Sequence, residues 1–194
     1  MQKVLLLLIG WVLFSSSQPA DSVKGSFTDE RDGKTYKTVR VGNQTWMAEN
    51  LNYNTSNSWC NECETYGRLY NYQSALTACA SGWHLPSDDE WSTLVSNCGG
   101  DSIAGRKLQE TDTTSTWYSP SKGATNETGF TALLGGCRDI NGKIYLVGGI
   151  GLYWSSSERN RGSAWDRGLL YNYSNIYRFH DRKKEGLSVR CIKD

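Results

Sequence analysis

Six cysteines constrain this chain more than any other feature, because all of them lie downstream of a stretch built like an export signal. Residues 1–20 read MQKVLLLLIGWVLFSSSQPA. Lys3 supplies the charged start, Val4 to Phe14 the apolar run, and Ser15 to Ala20 a small-residue exit, which is the order of a secretory signal peptide. The apolar run is shorter than the roughly 20 residues a spanning helix needs. No cysteine follows it until Cys60, so no site for a lipid anchor is visible. The expectation is a signal peptide over 1–20, a single mature domain over 21–194 with no membrane span, and a place outside the cytoplasm, secreted or in a bacterial envelope.

In an oxidising compartment an even number of cysteines reads first as a disulfide framework, with a connectivity that spacing leaves open. Cys60, Cys63, Cys79, Cys98, Cys137 and Cys191 are its candidates. Cys60-x-x-Cys63 has two rival readings. A redox pair belongs at the start of a helix in a βαβ unit, whereas NSWCNECETYG is a polar loop. A zinc ribbon needs a second such pair, and there is none. A structural disulfide is the simpler expectation, with no metal and no cofactor.

Loss of Lys3 with the leader leaves 20 basic and 20 acidic side chains. A neutral chain lacks the basic surplus of a nucleic-acid binder. Eight Trp, eleven Tyr and twenty Gly against three Pro and two Met point to a β-rich core with many turns.

Along the chain, Asp32-Gly33 and Gly42-Asn43 mark tight turns between β-prone runs from 26 to 51, and Asn141-Gly142 marks another. Residues 52–65 read as a polar loop. Leu69, Tyr72, Leu76 and Cys79 recur at helical spacing and predict a helix over about 70–80. In SGWHLPSDDEW, Ser87 and Glu90 have the spacing of a capping box, and Asp88 and Asp89 suit the positive end of a helix dipole. Trp91, Leu94, Val95 and Cys98 then share a face, and Cys98-Gly-Gly-Asp ends that helix. His84 precedes it without an HExxH partner, so no catalytic or metal role is expected of it. Residues 101–129 read as long loops, LYWSSSE as a buried strand and LSVRCIKD as a terminal strand.

Tests for chemistry return little. GLSVR, 186–190, has Arg190 where a nucleophile elbow needs Gly. The paired glycines read as turns, and no carboxylate pair stands out. The unusual stretch is ERNRGSAWDRGLLYNYSNIYRFHDRKKE, 158–185, where Trp165, Tyr171, Tyr173, Tyr177 and Phe179 are mixed with Arg, Asn, His and Asp. Leu169 and the aromatics at 171, 173, 177 and 179 predict a strand with one aromatic face. An ordinary hairpin would bury that face. A recognition surface would use it as binding loops use Tyr, Asn and Arg, combining rigid area with adaptable hydrogen bonds.

Six segments in order, DGKTYKTVRVGNQTWMAENLNY, YGRLYNYQSALTAC, SGWHLPSDDEW, GFTALLGGCRD, YWSSSE and GLSVRCIKD, resemble the Fibrobacter succinogenes major paralogous domain over about residues 27–194. The resemblance implies an α+β, C-type lectin-like domain: two helices packed on small twisted antiparallel sheets, with N- and C-terminal strands together, long loops and disulfide staples. It implies a Cys79–Cys191 link, with Cys60–Cys63 and Cys98–Cys137 as the remaining pairs. For the related formylglycine-generating enzymes it would require reactive cysteines between 138 and 190, where this chain has none. Of the calcium motifs of sugar-binding lectins only Ala164-Trp165-Asp166 is partly present.

The expected function is therefore a non-catalytic binding module for a glycan or a surface protein. Its candidate contacts are Arg159, Asn160, Arg161, Trp165, Asp166, Arg167, Tyr171, Tyr173, Asn175, Tyr177, Arg178 and His180, with Trp117 and Tyr118 as outlying additions. The alternatives are a hydrolase acting on polysaccharide, a lectin-like receptor whose segment 159–181 is diversified by a retroelement, and a purely structural envelope component.

Overall fold

The computed structural model describes residues 24–111 and 123–194; residues 1–20 of the expected leader, with Trp117 and Tyr118, lie outside the described residues. Strands β1 (Lys24–Thr28) and β2 (Thr35–Val41) pair across the Asp32-Gly33 turn, and β3 (Gln44–Met47) follows after Gly42-Asn43. Gly33 and Gly42 have φ of 74° and 61°, a backbone region open to glycine at no steric cost. The chain then makes a short β4 (Ser58–Trp59), one helical turn α1 (Cys63–Tyr66), β5 (Leu69–Tyr70), α2 (Tyr72–Ala78), β6 (Trp83–His84) and α3 (Asp88–Asn97). Next come α4 (Asp101–Leu108), the ribbon β7 (Cys137–Arg138) with β8 (Ile144–Tyr145), and strands β9 (Ile150–Glu158), β10 (Ser163–Leu170) and β11 (Ile176–Arg182). The terminal β12 (Ile192–Lys193) completes the fold.

The architecture is α+β, with small antiparallel sheets. Order β1-β2-β3-β12-β6 seats the last strand between β3 and β6, so both ends of the chain share one sheet. A second sheet, β11-β10-β9, presents β11 as its outer strand. Strand β9 divides the interior. Tyr153 enters one core with Trp46, Trp91, Leu94 and Phe130, and its neighbour Trp154 enters the other with Tyr70, Tyr72, Leu187 and Val189. Period-two alternation of side chains makes this division possible.

Helix α3 starts as its sequence predicts. Ser87 Oγ accepts from the Glu90 amide at 3.2 Å, and the Glu90 carboxylate accepts from the Ser87 amide at 2.7 Å. Other expectations need correction. Helix α2 is shorter than 70–80, and its buried positions are Tyr72, Ser74, Ala75 and Ala78, whereas Leu76 is exposed and Leu69 belongs to β5. Alanine lets the helix approach the core closely, so the bulky spacing was a misleading guide. Residues 101–108, read as loop, form α4, which gives four helices among the described residues rather than two. Cys60–Cys63 and Cys79–Cys191 are bonded, but Cys98 and Cys137 are free buried thiols lodged in different cores. Cys98 ends α3 under one side of β9 and Cys137 lies in β7 on the other. Burial pushes both thiols up to about 11, which leaves them poor nucleophiles. Among the described residues no helix is long and apolar enough to cross a membrane.

Candidate ligand-binding face

The aromatic stretch folds as a hairpin, with Trp165 opposite His180, Arg167 opposite Arg178 and Leu169 opposite Ile176. Alternation separates the expected single face into two. Trp165, Arg167 and Leu169 point to the same side as His180, Arg178 and Ile176; Ala164, Asp166 and Gly168 share the other side with Asp181, Phe179 and Tyr177.

The first side is organised by Asp88 at the start of α3. Its carboxylate receives Arg167 Nη2 at 2.8 Å and Arg178 through Nε at 2.9 Å and Nη2 at 2.8 Å. Arg167 Nη2 also donates to Ser92 Oγ at 2.9 Å. The Arg178 guanidinium lies 3.4 Å from the centre of the Trp165 ring, with Arg159 5.7 Å away and the His180 ring at 5.8 Å, edge-on. Leu169 and Ile176 continue inward to the first core.

On the second side Gly168 leaves room for the Phe179 ring, which a Cβ there would meet at 2.5 Å. Phe179 stacks on Tyr177 at 5.5 Å, and Tyr177 meets Tyr173 edge-on at 6.3 Å. Tyr173 and Phe179 are 48% and 39% exposed, so this row of rings faces solvent. Beneath it Asp166 is fully buried, and neither carboxyl oxygen has a hydrogen-bond partner. Burial, reinforced by Asp181 and Glu185 and partly offset by Arg167, pushes it up to about 8. Burial and Glu185 push Asp181 up to about 6.

Of the expected contacts, Arg159, Asn160, Arg161, Tyr173, Arg178 and His180 are exposed, and Trp165, Tyr171, Asn175 and Tyr177 are half-buried. Asp166 and Arg167 are corrected: both are buried beneath the surface and are not part of its exposed face. Asn160 is occupied in shaping its turn, since Oδ1 accepts from the Gly162 and Ser163 amides at 2.8 and 2.9 Å. Asn175 presses its carbonyl against Gly105 of α4, and Tyr171 packs on the first core. Phe179 was not among the expected contacts, although its place in the odd-numbered aromatic series was the signal for it.

His84 also has more partners than its sequence indicated. Its Nδ1 lies 2.6 Å from Asp194 and its Nε2 2.9 Å from the Glu90 that closes the capping box. Burial works against its positive charge, but the two carboxylates outweigh it and raise the pKa. With both ring nitrogens engaged, His84 clamps β6, α3 and the end of β12 together and has no nitrogen left for a substrate. Among the described residues no three or more His, Cys, Asp or Glu are arranged to hold a metal ion.

No curated protein and no solved structure matches the chain. Residues 39–193 match the model of the Fibrobacter succinogenes major domain, and the chain belongs to that family.

Proposed function

We propose that this chain is an exported, non-catalytic binding module of C-type lectin-like fold that takes a glycan on the outer strand β11. The seating of β12 between β3 and β6, and the Cys79–Cys191 link from the end of α2, support the lectin-like reading. The observation that carries the ligand reading is the solvent-facing row Tyr173, Tyr177 and Phe179. Folding leaves such area exposed at an energetic cost, and contiguous exposed apolar surface marks interaction sites. Ring faces suit the apolar faces of sugars, and the exposed Asn172 beside Tyr173 suits their hydroxyls.

The test is retention of the oxidised chain on insoluble neutral polysaccharides, with and without a chelator. Retention on at least one polymer, insensitive to the chelator, is expected. The Tyr173→Ala/Tyr177→Ala/Phe179→Ala variant should then bind about tenfold more weakly or worse, on the scale of one to two aromatic contacts. Unchanged binding by a folded triple variant overturns the choice of face. Absence of retention on every glycan, charged or neutral, overturns the glycan itself in favour of a protein ligand.

A further inference from the structure

We infer that the opposite side of the same ribbon is a second subsite, built for the carboxylate groups of an acidic polysaccharide. The inference rests on the glycan reading and assigns a charge class to part of the ligand. Along β11, Arg178, His180 and Arg182 alternate toward the side that carries Trp165, and all three are exposed. The turn between β9 and β10 adds Arg159 and Arg161, also exposed. Four exposed arginines thus gather on β11 and the β9–β10 turn of one sheet in a chain whose overall charge is close to balanced.

Of the negative groups nearby, two hold cationic partners, while Asp89 stays exposed at the start of α3 and Glu185 accepts from the Arg182 amide at 3.2 Å. Asp88 is shared between two guanidinium groups, so the trio keeps a positive surplus. Glu158 is held by Lys183 at 2.6 Å. Asp166 and Asp181 lie on the other side of the sheet. Among the described residues, Arg159, Arg161 and Arg182 have no ion pair. Opposite Arg178 on β10, the buried Arg167 leaves Nε and Nη1 without a hydrogen-bond partner. A charge so placed is poorly screened and adds to the positive potential of the surface above it.

The protein itself displays the mode of recognition. Arg178 grips the Asp88 carboxylate through Nε and Nη2 while its flat face lies on Trp165. Guanidinium forks match carboxylate geometry and gain strength from the charge on both partners. The three remaining exposed arginines can grip a uronate carboxylate in the same way, with the indole edge and His180 beside the sugar ring. Alternation puts Arg178, His180 and Arg182 in a row along one side of β11, with the two guanidinium groups about 13 Å apart along the strand.

The experiment compares retention of the full oxidised chain on immobilised polygalacturonate with retention on the same polymer fully methyl-esterified, which keeps the sugars and removes the charge. Binding to the charged form only is expected, and it should fall as salt shortens the screening length to about 3 Å at 1 M. Arg159→Gln/Arg161→Gln/Arg182→Gln breaks no ion pair and should fold normally while binding about tenfold more weakly or worse. Lys24→Gln/Lys37→Gln/Lys193→Gln, which removes equal charge from the other sheet, should bind as wild type. Equal retention on both polymers, full binding by the arginine variant, or equal loss in the lysine control overturns the inference. Retention on dextran sulfate without retention on polygalacturonate overturns the carboxylate assignment. If neutral polymers still retain the chain through the aromatic row, the proposed glycan function survives these failures.

Discussion

Asp166 and Arg190 show what burial does to a charge-bearing residue with and without partners. Both are fully buried. Arg190 donates to the carbonyls of Met47, Phe130 and Thr131 and to Asn50 Oδ1, joining its own strand end to the segments 47–50 and 130–131, and burial lowers its pKa to about 10. Asp166 has no donor at all and stays protonated instead. Its unfolded value is 3.8 and its folded value about 8, so the folded state holds the proton over a window where the unfolded chain has released it. Stability from this group is complete below the unfolded value and is lost as pH rises through the folded one, by about 1.4 kcal/mol for each pH unit in between. The Asp166→Asn variant does not titrate. Urea unfolding followed by Trp fluorescence should show it gaining on wild type steadily from pH 5 to pH 8. His84 and Asp181 also lose stability as pH rises through their raised values, and because the Asp181 charge acts on Asp166 the difference between the two proteins reports Asp166 together with its coupling to Asp181. Parallel curves would mean that Asp166 finds a donor after all.

Helix α4 shows why an element can be absent from the pattern and present in the fold. It has eight residues, begins after Gly99-Gly100 and contains Gly105, all of which weaken a helical signal. Packing supplies the reason for Gly105: a Cβ there would meet the Asn175 carbonyl oxygen at 2.3 Å. The helix can therefore lie against the β10–β11 turn, and the Arg106 amide donates to the Ser174 carbonyl at 3.1 Å. Gly105→Ala raises helix propensity by up to about 1 kcal/mol. Overpacking against backbone costs about 1–3 kcal/mol, so the net effect should be a loss. Calorimetry should show Tm falling by about 2–4 °C for each kcal/mol lost in a domain of this size. A higher Tm would mean that the turn moves aside freely. The same contact ties α4 to the turn carrying Tyr173, so exchange protection there should fall with it.

Across the whole molecule, the two cores and two sheets depend on joining distant parts of the chain. Cys79–Cys191 closes a separation of 112 residues, whereas Cys60–Cys63 closes one of three. In the chain-entropy account a loop of about 100 residues contributes roughly 4.7 kcal/mol, and a short ring much less. The Cys79→Ala/Cys191→Ala variant should therefore lose several kcal/mol in urea unfolding, with Cys60→Ser/Cys63→Ser losing clearly less. Equal losses would point to strain or native contacts in place of loop entropy. The family assignment is a whole-molecule property too, since its match runs from β2 to β12.

Local chemistry made much of this protein legible from its sequence. Ser87 and Glu90 are three residues apart, Gly42-Asn43 and Asn141-Gly142 stand between β-prone runs, and the apolar start of LYWSSSE marks a buried strand, because caps, turns and short apolar runs depend on near neighbours. Long-range contact decided the rest. The two sides of the β10–β11 ribbon could not be separated while residues 169–179 were read as one strand, since the turn at 171–175 interrupts their alternation. Nor could spacing show that β9 would stand between Cys98 and Cys137, or that Asp194 would come within 2.6 Å of His84. Burial and partnership are properties of residues far apart in sequence, and only packing brings them together.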